Sequence, residues 1–203
     1  GNPVRREIAA LPAPALRFRA RTGPLRLLVL GGSQGALALN RGVPGALARL
    51  PSDRRPVVRH QTGERTLDAA REAYRQHGVE AELLPFIEDM AEAYAWADLV
   101  ICRAGALTVA ELAAAGLAAI FIPFPAAVDD HQTANVRPMV AAGAALMIAE
   151  RDLNDEALAT VLAGWLASRD SLRLRAEKAR SLAMPDALER ITGSCLELAG
   201  ETS

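Results

Sequence analysis

Four short stretches of this sequence combine backbone and side chains of kinds that bind anions and sugars. Gly31-Gly32-Ser33-Gln34-Gly35 follows an apolar run and opens an amphipathic one. Glycines let backbone amides approach a phosphate closely, a helix start favours negative charge, and Ser33 can donate a hydroxyl. The stretch reads either as a phosphate cradle or as a tight connection. It is not a dinucleotide fingerprint, because Leu30 stands where the first glycine belongs and no acidic residue clearly ends the second strand; nor does a Lys follow, as a Walker loop requires. The second stretch, Cys102 to Glu111, runs through small residues into another helix, where amides at Ala106, Leu107 and Thr108 would make a second anion site. Two such sites suit a pyrophosphate. Thr108 and Glu111 have capping-box spacing, so Glu111 has two open readings: a cap, or an acceptor that reaches past the phosphate to a ribose diol.

The third stretch runs from Pro123-Phe124-Pro125 through Asp129-Asp130-His131-Gln132 to Asn135. His131, Gln132 and Asn135 offer donors and acceptors suited to sugar hydroxyls, and Gln132 and Asn135 lie about one helical turn apart. Asp130 reads equally well as an N-cap. Adjacent residues seldom point at one ion, so Asp129, Asp130 and His131 are not expected to hold a metal. The fourth stretch is Pro85-Phe86-Ile87-Glu88-Asp89-Met90. Its backbone could pair with a nucleobase edge while Phe86 or Ile87 packs on the ring, with Phe86 the stronger candidate for a core position.

Residues of this kind need a scaffold that brings them together. From Leu25 onward, short apolar runs alternate with amphipathic stretches, the sequence form of βαβ units and a parallel sheet. Strands are expected at 25–30, 57–60, 81–84, 99–102, 119–123 and 145–148. Helices are expected at 36–50, 64–77, 90–97, 107–115 and 132–142, with helices alone after Asn154. Asn154, Met184-Pro185 and glycines 78, 116 and 143 supply starts and stops. The fold class is α/β, a Rossmann-like doubly wound parallel sheet, which collects loops at the carboxyl ends of its strands.

Composition narrows the partners. The chain has 203 residues, 51% of them hydrophobic and only 4% aromatic, enough for one core of many small contacts around Ala-rich helices. A formal charge of -1 and no aromatics interleaved with the arginines argue against nucleic acid. Before Leu27, arginines 5, 6, 17, 19, 21 and 26 face only Glu7, which reads as a solvated arm or linker, or as an anion or membrane-surface contact. Cys102 and Cys195 match neither a metal nor a redox spacing and read as buried or inert thiols. Without a signal peptide or a spanning run the chain reads as cytosolic, any membrane contact being peripheral. The opening Gly1-Asn2-Pro3-Val4-Arg5 lacks an initiator Met and reads as a piece of something longer.

Taken in order, these stretches resemble the peptidoglycan N-acetylglucosaminyltransferases of glycosyltransferase family 28. The resemblance is carried by the opening five residues, the loop at 31–35, His60-Gln61-Thr62-Gly63, the long string at 86–112, Pro123-Phe124-Pro125 and the segment 129–135. It implies one half of a GT-B fold: residues 1–24 as an inter-domain linker, residues 25–203 as the UDP-sugar donor-binding domain with carboxyl-terminal helices, and an acceptor domain that is absent. It further implies that Arg5 and Ser33 approach the pyrophosphate, assisted by Ala106, Leu107 and Thr108, and that the site continues through Val109 and Ala110 to Glu111, which takes the ribose hydroxyls. Backbone at Ile87 would bind uracil. Gln132, with His131 and Asn135, would read N-acetylglucosamine, and Gln34 would share that pocket.

By the same resemblance the intact enzyme moves N-acetylglucosamine, with inversion, from UDP-N-acetylglucosamine to lipid I and makes lipid II at the inner face of the bacterial membrane. No cofactor or metal is expected. The general base is expected in the absent domain, so this chain alone should bind donor without turnover. Two other readings compete: a non-catalytic nucleotide-sugar module, and a UDP-sugar epimerase, which needs acid and base residues around the sugar that have no assignment here.

Overall fold

The computed structural model describes residues 1–125, 131–198 and 200. Six strands, β1 (Arg26–Leu30), β2 (Val57–Gln61), β3 (Glu82–Leu84), β4 (Leu99–Cys102), β5 (Ala118–Phe121) and β6 (Ala145–Met147), form one sheet in the order β3-β2-β1-β4-β5-β6. Every pairing is parallel. All six expected strands are present, each within a residue or two of its anticipated bounds. The order reverses between β1 and β4, which is where a doubly wound sheet opens a crevice.

Both faces of the sheet are covered, which explains why the central strands are continuous apolar runs instead of alternating ones. Leu27 and Val29 of β1, Leu99 and Ile101 of β4 and Ala118 and Ile120 of β5 enter one core. Their neighbours Leu28, Leu30, Val100, Cys102, Ala119 and Phe121 enter the other. Burying each Leu or Ile contributes about 1.5–3 kcal/mol, so the three central strands hold both layers onto the sheet. The first core is closed by α3 (Leu37–Ala48), α4 (Leu67–His77), α8 (Asp155–Trp165) and α9 (Arg169–Arg180), and the second by α5 (Met90–Trp96), α6 (Ala106–Ala115) and α7 (His131–Ala141). Asp89, Asn154 and Ser168 cap α5, α8 and α9 by accepting from backbone amides. The helix α10 (Ala187–Leu198) buries only Ala187 and leaves Leu188, Ile191 and Leu198 exposed.

The segment before Leu25 is not the solvated arm expected of it. It forms two short helices, α1 (Arg6–Ala9) and α2 (Pro14–Arg19), and places Ile8 in one core and Phe18 in the other. Its arginines face backbone and carboxylate, not solvent alone. Arg17 is buried and donates to the carbonyls of Pro12, Ala115 and Gly116, at 3.0, 2.5 and 2.6 Å. Arg21 pairs with Asp98, which is fully buried, accepts from the Arg26 amide at 2.9 Å and lies 3.8 Å from Arg169. One carboxylate thus ties this segment to β1 and α9. The two cysteines differ: burial pushes the Cys102 thiol up and makes it inert, whereas Cys195 is exposed on α10, where few contacts cover the helix.

Candidate functional site

The registers of the sheet align the last residues of all six strands. Leu84 pairs with Gln61, Gln61 with Leu30, Leu30 with Cys102, Cys102 with Phe121 and Phe121 with Met147. The four stretches singled out from the sequence follow Leu30, Leu84, Cys102 and Phe121, so they leave the sheet along one edge. The loops after Leu30 and Cys102 emerge side by side at the point of reversal.

The glycine loop after β1 is shaped by backbone contact with the turn after β2. The Gly31 amide donates to the Gln61 carbonyl at 2.9 Å. Gly35 and Gly63 both hold positive φ, and a Cβ on Gly63 would lie 2.3 Å from the Gly35 nitrogen. Neither position accepts a larger residue, because the two turns touch main chain to main chain. Asn40, fully buried on α3, donates to the Thr62 carbonyl at 3.1 Å and holds that turn. Ser33 and Gln34 remain exposed, and Gln34 accepts a hydrogen bond from Arg65.

At α6 the structure removes one of the two readings of Glu111. The helix begins at Ala106 with Gly105 as its N-cap, and no side chain caps it. Thr108 therefore lies inside the first turn, and no capping box forms. The Val109 amide donates to the Gly105 carbonyl at 3.0 Å, and Ala110 continues the intrahelical pattern. That leaves Ala106, Leu107 and Thr108 as the first-turn amides without an intrahelical acceptor, at the positive end of the helix. Val109 and Ala110 instead line a cavity of about 180 Å³ together with Ala106, Asn135 and Met139.

The Glu111 carboxylate is held from two sides. Arg5 donates to its Oε1 from Nη2 at 2.9 Å and from Nε at 3.2 Å. The Tyr94 hydroxyl donates to Oε2 at 3.0 Å. Burial, and next the charge of Glu111, push the Tyr94 hydroxyl well above the usual tyrosine range, so it stays protonated and acts as a donor. Arg5 also borders a second cavity, of about 380 Å³, with Ile8, Glu88, Asp89 and Met90, next to the fourth stretch.

Gln132 and Asn135, one turn apart on α7, brace the neighbouring loops. The Gln132 carbonyl oxygen accepts from the amides of Phe124 at 2.8 Å and Ala104 at 3.3 Å. Asn135 donates to the Ala104 carbonyl at 3.0 Å. His131 is exposed at the start of the helix, while Asp129 and Asp130 lie outside the described residues. In the fourth stretch the expected order is reversed: Ile87 is buried and Phe86 is 57% exposed. Asp89 turns the chain into α5, and Ile87 is the residue whose side chain falls on the core side of that turn.

Sequence reasoning missed Tyr94 and Arg103. Arg103 donates to the carbonyls of Ile122 and Pro123, at 3.1 and 3.3 Å, pairs with Glu150 at 2.5 Å and stacks on Phe124, so it holds the β4 and β5 loops together. A tyrosine amid alanines on a core-facing helix was the available signal, since a buried hydroxyl needs a partner.

These features define a doubly wound α/β domain whose reversal point presents a glycine loop, a free helix start and a braced carboxylate. The chain belongs to the family described as glycosyltransferase family 28 C-terminal domain, whose model matches residues 26–191. It is 58% identical over 97% of its length to the UDP-N-acetylglucosamine--N-acetylmuramyl-(pentapeptide) pyrophosphoryl-undecaprenol N-acetylglucosamine transferase of Alkalilimnicola ehrlichii, covering 55% of that protein. It is 55% identical over 98% of its length to the protein of the same description from Marinobacter nauticus, again covering 55% of it. The chain thus spans about half the length of the curated relatives it matches. Among solved structures, MurG of Acinetobacter baumannii superposes with a TM-score of 0.85 at 40% identity, over 94% of this chain and 55% of that one.

Proposed function

We propose that this chain is the donor-binding part of an inverting N-acetylglucosaminyltransferase that uses UDP-N-acetylglucosamine and passes the sugar to lipid I. The observation that carries the reading is the alignment of strand ends, which sets the glycine loop, the α6 amides, Glu111 and Gln132 along one edge of the sheet. In this reading the pyrophosphate sits at the free amides of Ala106, Leu107 and Thr108, near Ser33 and Arg5. Glu111 accepts from the ribose hydroxyls, backbone at Ile87 pairs with uracil, and Gln132 with His131 and Asn135 reads the hexose while Gln34 borders it. As the acceptor hydroxyl attacks the anomeric carbon, UDP leaves, and the helix amides with Arg5 stabilise its charge. The acceptor contacts and the general base belong to the part of the relatives that this chain does not span, with residues 1–24 leading toward it. The work is done at the cytoplasmic face of the membrane. No helix among the described residues is long and apolar enough to cross one.

Calorimetric titration of the chain with UDP-N-acetylglucosamine, UDP-N-acetylgalactosamine and NAD tests this directly. Only the first should bind well, and Glu111→Gln should weaken it by about 1–3 kcal/mol, because charge-assisted hydrogen bonds become neutral ones. Equal binding of NAD, or an unchanged affinity in Glu111→Gln, would sink the assignment.

A further inference from the structure

We infer that Tyr94 is a positioning residue for nucleotide recognition: its buried hydroxyl orients the Glu111 carboxylate so that the lone pairs Tyr94 does not take can meet a ribose diol. This rests on the reading of Glu111 as the ribose acceptor and adds the device that makes it selective.

A carboxylate offers about four acceptor sites on its two oxygens. Tyr94 takes one on Oε2 at 3.0 Å, and the Arg5 fork takes Oε1 at 2.9 and 3.2 Å. The plane of the carboxylate is therefore set before any ligand arrives, and the rotamer freedom that binding would otherwise remove is already spent. The two holders differ in firmness. The Arg5 side chain is 53% exposed, whereas Tyr94 is 1% exposed and packed in the same core as Ile87, Val100 and Leu112. The exposed Arg5 has room to turn toward a phosphate and release Oε1 to the ribose, whereas core packing holds Tyr94 in place.

Tyr94 also sits on α5, the helix that the fourth stretch opens through the Asp89 cap, where the Glu92 amide donates to Asp89 at 2.8 Å. Ile87 precedes that cap and shares the core with Tyr94. One rigid unit thus carries both the backbone proposed to read the base and the hydroxyl that aims the carboxylate at the sugar attached to it. The separation of base and ribose contacts is built into α5, which gives the hydroxyl a part in choosing ribonucleotides over deoxyribonucleotides.

The test compares UDP with 2′-deoxy-UDP on the wild-type chain, Tyr94→Phe, Glu111→Gln and the double variant. Phe keeps the ring in the core and removes only the donor. Tyr94→Phe should weaken UDP about 3- to 10-fold while leaving 2′-deoxy-UDP within about twofold, and should add nothing in the Glu111→Gln background, since residues that act as a unit are not additive. Equal losses for both nucleotides would mark a general packing role and overturn the inference, as would no loss for either. If Glu111→Gln narrows the preference for UDP and Tyr94→Phe does not, the ribose reading stands and this inference falls. If Glu111→Gln leaves that preference intact, the ribose reading itself has failed and the inference with it.

Discussion

Gln132 carries a constraint that its place in the sequence does not show. Residue type and spacing mark it as a reader of sugar hydroxyls, yet its carbonyl oxygen is engaged by the amides of Phe124 and Ala104. Gln132→Ala should therefore act on folding as well as binding. Leaving the partly buried Ala104 amide and the exposed Phe124 amide without their acceptor is expected to cost about 1 kcal/mol, most of it at Ala104. UDP-N-acetylglucosamine should lose more affinity than UDP, because only the former has a hexose. Urea unfolding and paired titrations measure both quantities, and an unchanged unfolding midpoint would show that the two backbone contacts hold nothing. Glu111 illustrates the opposite case: two readings were open from its spacing with Thr108, and the Gly105 cap removed the capping one by starting the helix at Ala106, two residues before Thr108. Residue type told what these side chains can do; which atoms were already occupied was not legible.

The helix α6 shows how an element is held so that one end stays available. Its N-terminal amides are left open, while its C-terminal carbonyls are saturated. Arg17 donates to Ala115 and Gly116, Arg180 donates to Ala114, and the Leu117 amide donates to Leu112 past the left-handed Gly116. Cations at a helix C-terminus also oppose its dipole. Burial, followed by the nearby Arg21 and Arg180, lowers the Arg17 guanidinium to about 10, which still leaves it charged at neutral pH. Arg17→Met should lower stability by about 2–4 kcal/mol, since buried carbonyls lose charged donors. Arg17→Lys should rescue little, because an ammonium lacks the fork that reaches both carbonyls. Denaturant midpoints of the two variants check this, and full rescue by Lys would show that charge alone matters. The periodic helices could be read from sequence. The short α1 and α2 could not, because single apolar residues, Ile8 and Phe18, anchor them against elements far along the chain.

The stability of the whole domain should depend on pH through His60. This fully buried imidazole on β2 meets the Tyr74 hydroxyl at 3.0 Å, and burial lowers it from 6.5 to about 3. The unfolded chain then binds a proton that the folded chain refuses between those two values. Stability is full above about pH 6.5 and falls as pH drops through the window, by about 1.4 kcal/mol per pH unit, or about 2 kcal/mol from pH 6.5 to pH 5. Urea unfolding at pH 7 and pH 5 should show that loss in the wild-type chain. A His60→Leu, Tyr74→Phe double variant, which removes both polar partners, should not show it. An identical pH dependence in the two proteins would assign the effect to other groups.

Local chemistry was enough to place the six strands, the principal helices and the glycine turns, because apolar runs, helical spacing and positive-φ positions are properties of neighbouring residues. The stretches that gather at the sheet edge could also be named in advance, since a parallel sheet delivers its loops to one side. Partners far apart along the chain were a different matter. Arg5 and Glu111 are separated by 106 positions, and only packing of the amino-terminal segment against α6 and α5 brings the guanidinium, the carboxylate and the Tyr94 hydroxyl into one cluster. Likewise Asp98 and Arg17 have no local pattern that names their partners. A buried charge takes the complementary group that the folded core leaves within reach, and that choice is made in three dimensions.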